Sequence, residues 1–222
     1  MFITILLVVI VLLIICLLWS WYMLAKPPKM EHKPFDLFKF KTGDIILFHA
    51  YNNINPVFIA SYWGHIGIVY KNPDNDSRPL LFEAAKTSSM KNCEEKNRCG
   101  IIVSDLQTRI EKYPGKIACK FLNKPVSNQI NSSFIEFMKY AKTNMHYNSK
   151  VFTNGLKKKL GAQFNYSTNC GEIVFLSLIK LGLLPHDMFY KKLAHHLLYI
   201  TKLTQLNNNY YHKPIELTFN PF

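Results

Sequence analysis

The chain has 222 residues, 49% of them hydrophobic, and its 27 Lys or Arg against 14 Asp or Glu give a formal charge of +13. That length buries one sizeable core and argues against a second full domain. Only Arg78, Arg98 and Arg109 are arginines. Base-edge reading relies on the bidentate arginine fork, so specific nucleic-acid recognition is not indicated.

Phe2 to Ala25 carries no charge and is dominated by Leu, Ile and Val, with Trp19, Trp21 and Tyr22 at its end. This composition predicts a single-pass transmembrane helix with an aromatic belt over residues 1–25. Lysines follow the segment and none precedes it, which predicts that the C-terminal domain lies on the cytoplasmic side of the membrane. The lysine-rich surface would then face anionic headgroups, so the bilayer itself is an expected partner. Residues 26–39, with Lys26-Pro27-Pro28-Lys29, read as a short stiff linker, and residues 40–222 as the globular domain.

Apolar runs bounded by turn residues predict strands at 44–50, 63–70, 80–85, 100–104 and 116–122, with a helical stretch at 105–113. The strands are consecutive and short, which favours an antiparallel sheet or small barrel in an α+β fold. From residue 131 the period changes. Phe134, Phe137, Met138 and Ala141 predict a helix to about residue 143. Residues 147–167 read as irregular, with a basic patch at 157–159, and a short helix is expected over 186–199, followed by a loop-like tail.

Asn169-Cys170-Gly171-Glu172 reads as a helix start: Asn169 is a favoured N-cap and Glu172 completes a capping box. Cys170, Ile173, Val174, Ser177, Leu178 and Leu181 share one face, and Gly182 and Pro185 mark the stop. A thiol in the first turn lies where the helix dipole favours an anion, the setting of a nucleophilic cysteine. The other cysteines, Cys16, Cys93, Cys99 and Cys119, complete neither a disulfide framework nor a zinc site, although Cys93 and Cys99 could bridge in an oxidising compartment.

His65 lies in a strand between Gly64 and Gly67, and a strand glycine marks close approach by another backbone or a ligand. Glu83 is an ionisable residue inside the apolar run Leu80-Leu81-Phe82-Glu83-Ala84, so a partner is expected for it. A hydrogen bond from His65 would satisfy Glu83 and fix the imidazole tautomer, giving a nucleophile–base–orienter constellation. His49, also on an expected strand, is the alternative base, but no carboxylate-bearing strand follows it.

Gly43-Asp44-Ile45-Ile46-Leu47-Phe48, Trp63-Gly64-His65-Ile66-Gly67-Ile68-Val69-Tyr70, Phe82-Glu83-Ala84 and Thr168-Asn169-Cys170-Gly171-Glu172-Ile173-Val174 occur in that order. The series resembles the permuted papain-like amidases, NlpC-like proteins of the YiiX/YaeF type with poxviral relatives, over roughly residues 40–185. The resemblance implies a circularly permuted papain-like fold, with Cys170 as nucleophile, His65 as base and Glu83 as orienter. The family commonly has serine after the cysteine, where this chain has Gly171, and Tyr-Asp before it, where Tyr147-Asn148 is the nearest match. Tyr147 and Trp63 are the substrate-binding candidates.

The expected activity is that of a membrane-anchored thiol hydrolase or acyltransferase, a thiol protease or amidase in kind. It would cleave amide or ester bonds of a lipid, peptide or isopeptide substrate through a thioester, with no metal or organic cofactor. The alternative is a catalytically silent membrane scaffold or lipid-binding protein that keeps the fold.

Overall fold

The computed structural model describes residues 2–26, 29–50, 62–71, 78–85, 100–147, 167–184, 211–212 and 214–218. The Cys93–Cys99 pairing, the basic patch at 157–159 and the helix expected over 186–199 lie outside these residues.

The chain begins with α1, Phe2–Ala25, a single helix of 24 residues whose apolar side chains are largely exposed. The membrane span expected there is not supported: among the described residues no helix is long and apolar enough to cross a membrane. The single-pass topology and the cytoplasmic orientation built on the span fall with it.

Among the described residues nine strands follow: β1 Glu31–Pro34, β2 Ile45–Ala50, β3 His65–Tyr70, β4 Leu80–Ala85, β5 Gly100–Asp105, β6 Gly115–Lys120, β7 His146–Tyr147, β8 Ser167–Thr168 and β9 Ile215–Thr218. The helices among them are α2 Leu106–Glu111, α3 Asn128–Asn144 and α4 Cys170–Lys180. Seven strands form one sheet in the order β1-β9-β6-β2-β3-β4-β5, and β7 pairs with β8 separately. The α+β class holds, but the sheet is mixed. β2 to β6 pair antiparallel, whereas β1 runs parallel to β9. Part of the expected linker is therefore a sheet-edge strand, and part of the expected tail is the strand beside it. β1 is exposed at every position, so no burial alternation announces it in the sequence.

The sheet has an apolar layer on each face. On one side Ile66, Ile68, Phe82 and Ala84 pack with Phe134 and Met138 of α3 and with Ile173, Val174 and Leu178 of α4. On the other, Ile46, Phe48, Val69 and Leu81 pack with Leu106 and Ile110 of α2. Period-two alternation along β3 and β4 thus sends odd-numbered residues, His65 and Glu83 among them, toward the α2 side.

Candidate active site

Three elements converge on His65. It is the first residue of β3, so its ring lies at the strand end, and it is hydrogen-bonded to Cys170 on one side and Glu83 on the other. On the Glu83 side, ring Nε2 lies 2.5 Å from Oε2 of the carboxylate. With Nε2 committed there, Nδ1 is the ring nitrogen left for the thiol. The His65 side chain is 20% exposed and Glu83 not at all, so of this pair the histidine is the member that reaches solvent.

Local sequence accounts for the placement. Gly67 follows His65 by two residues on the same face. A Cβ there would come within 2.9 Å of the Leu81 side chain and 3.3 Å of the Glu83 Cβ. Glycine is what allows β4 to carry a carboxylate this close to β3. Cys170 opens α4 behind a complete capping box: Glu172 N–H donates to Asn169 Oδ1 at 3.0 Å, and Asn169 N–H donates to Glu172 Oε2 at 3.3 Å. The box uses the N–H groups of Asn169 and Glu172, which leaves those of Cys170 and Gly171 at the helix start beside the thiol.

The residue that sequence reading missed is Arg109, on α2. Its Nε donates to Glu83 Oε1 at 2.8 Å and its Nη2 approaches Oε2 at 3.4 Å. The guanidinium is 6% exposed, with its carbon 4.5 Å from the Phe48 ring centroid and 5.2 Å from that of Tyr113. A signal was present. Leu106, Arg109 and Ile110 fall at helical spacing, which puts an arginine on an apolar face, and a buried cation needs a buried carboxylate.

These contacts set the charges. Burial would raise the Glu83 carboxyl, but His65 and Arg109 outweigh it and hold it near 2. Burial would likewise lower the His65 imidazolium, and the bonds to Cys170 and Glu83 reverse that, lifting it to about 9. An imidazolium at neutral pH is thus held between the Cys170 side chain and a carboxylate.

The remaining candidates take other positions. His49 places Nδ1 2.6 Å from the Tyr62 carbonyl and stacks on the Tyr62 ring at 4.0 Å, which occupies it structurally. Trp63 is 2% exposed, its ring edge against Tyr62 at 5.0 Å. Tyr147 pairs on β7 with Thr168 of β8, two residues before Cys170, so the separate ribbon carries it to the nucleophile's neighbourhood. Among the described residues no three His, Cys, Asp or Glu are grouped to hold a metal ion.

No protein-family profile matches the chain, and no curated protein does. Among solved structures it is similar to the crystal structure of metalloprotein yiiX from Escherichia coli O157:H7. The TM-score is 0.44 and the identity 16%, over 80% of this chain and 88% of that one. A likeness of this size carries no argument about activity. The poxviral part of the resemblance is not shown by this likeness.

Proposed function

We propose that the chain is a thiol-dependent acyl hydrolase or acyltransferase acting on amide or ester carbonyls, with Cys170, His65 and Glu83 as its catalytic unit. The observation that supports this is the continuous hydrogen-bonded series from the buried carboxylate through the imidazole to a thiol at a capped helix start.

With the Cys170 proton already held on His65 Nδ1 as an ion pair, Cys170 Sγ attacks the carbonyl carbon, giving a tetrahedral oxyanion. The N–H groups at the start of α4 are placed to stabilise that charge. His65 returns the proton to the departing amine or alcohol, leaving a thioester. Water or a second acceptor then attacks with His65 as base, the acyl group leaves, and the proton goes back to sulfur. Glu83 orients the imidazole throughout by accepting from Nε2. Substrate would enter past Tyr147.

The test is mass spectrometry of the intact protein after incubation with a panel of activated esters and amides. The expected result is a single acyl adduct on Cys170 that decays with time and is absent in Cys170→Ala. A folded protein that gives no adduct with any probe, or labels equally without Cys170, would favour a catalytically silent scaffold.

A further inference from the structure

Glu83 sits between two cations on different elements, and its oxygens are divided between them. Oε1 accepts from Arg109 Nε at 2.8 Å, while Oε2 faces His65 Nε2 at 2.5 Å with Arg109 Nη2 at 3.4 Å. The catalytic unit proposed above needs only the second contact. The first requires a buried arginine stacked on Phe48, and the same Phe48 ring lies 5.4 Å from the His65 ring, so one aromatic wall supports both cations.

We propose that Arg109 is a positioning residue that keeps Glu83 a carboxylate, and thereby holds one His65 proton on Nε2 so that Nδ1 is the nitrogen that holds the proton taken from Cys170. The inference rests on the reading of Cys170, His65 and Glu83 as a catalytic unit. A carboxylate can only accept hydrogen bonds, so while Glu83 is ionised the proton it shares with His65 belongs to Nε2. Without Arg109 a fully buried carboxylate would keep His65 as its one cation. Burial would then favour the neutral pair, a protonated Glu83 beside a neutral imidazole. A protonated Glu83 donates to Nε2 and moves the ring proton to Nδ1, which then faces the thiol as a donor and cannot take its proton.

The groups facing Glu83 are few. His65 comes from β3, Arg109 from α2 and Tyr113 from the turn after α2, with Cys170 beyond the imidazole. Burial pushes the Tyr113 phenol up to about 12, so it stays neutral and does not replace the guanidinium.

The test is the pH dependence of Cys170 alkylation by iodoacetamide in the full chain, read by mass spectrometry, for the wild type, Arg109→Met and Arg109→Lys. Thermal melts check that each variant is folded. Arg109→Met keeps a chain of similar length between Phe48 and Tyr113 without the charge. Its acid limb is expected to move up by one pH unit or more, with the rate above the limb nearly restored. Arg109→Lys, which keeps the charge but loses the two-pronged contact, is expected to fall between. A role in folding alone would lower stability and leave the profile in place.

A folded Arg109→Met whose profile overlays the wild type overturns the inference and leaves the catalytic unit standing. If that variant does not fold, Arg109→Lys decides in the same way, an overlay overturning the inference. A wild-type Cys170 no more reactive than Cys119, and indifferent to His65→Ala, overturns the catalytic unit and this inference with it.

Discussion

Glu83 accepts hydrogen bonds from His65 and Arg109 while keeping no surface in water, so its energetics are those of a buried ion pair. Replacing it with Gln leaves the guanidinium and the imidazole to share a neutral partner. The expected cost is roughly 3–5 kcal/mol in chemical denaturation, because an uncompensated buried charge is worse than a lost contact. The pH dependence follows from the shifts. Glu83 is depressed to about 2, so its contribution is complete above its ordinary value of 4.5 and is lost as pH falls toward 2. His65 is raised to about 9, so its contribution is complete below 6.5 and is lost as pH rises through 9. Asp44 runs the same way as His65 and opposite to Glu83. It accepts from the N–H groups of Lys41 and Leu122 at 2.9 and 2.7 Å, yet burial prevails over those bonds and raises its carboxyl from 3.8 to about 7. A raised carboxyl favours folding most when protonated, so stability should fall as pH rises from about 4 to 7 on its account. Asp44→Asn is expected to flatten that part of the curve, measured by thermal melts across the range. An unchanged slope would assign the pH dependence to other groups.

At the level of elements, the start of α4 and the β3–β4 pair were the most legible parts of the chain. Asn169 and Glu172 stand at capping-box spacing and form both bonds. The run Leu80-Leu81-Phe82-Glu83-Ala84-Ala85 is β4 end to end. Local chemistry decides such features, so local sequence reports them. Arg109 was harder, because its importance depends on a carboxylate 26 positions away in the chain. Two substitutions probe these elements. Asn169→Ala is expected to cost about 1 kcal/mol and to slow Cys170 modification, since the cap fixes the first turn that carries the thiol. Gly67→Ala places a methyl group against Leu81 and Glu83. It is expected to cost about 1–3 kcal/mol by overpacking, and to slow Cys170 modification because the orienting carboxylate is displaced. A stability loss with an unchanged Cys170 rate would show that Glu83 can move without consequence.

Over the whole molecule, sequence distant from the site ties the sheet together. β1 and β9 pair in parallel from residues 31–34 and 215–218, and Tyr211 donates its buried hydroxyl to the Gly43 carbonyl at 2.8 Å. Neither contact has a local signature, since each joins segments far apart in sequence, and the linker and tail readings failed there for that reason. The apolar composition of α1 made a bilayer span the natural expectation, and composition outran what the described helix supports. Tyr211→Phe, which removes one buried donor without changing shape, is expected to cost roughly 0.5–1.5 kcal/mol with no effect on Cys170 chemistry. The central claim, that Cys170 and His65 act as one chemical unit, is tested most directly by iodoacetamide modification of the folded protein near pH 7. The rates at Cys170 and at buried Cys119 would be compared in the wild type and in His65→Ala. The account expects Cys170 to react on the order of 100-fold faster than Cys119, and to lose at least about tenfold of that rate without His65. Equal rates at the two cysteines, or a Cys170 rate unaffected by His65→Ala, would contradict it.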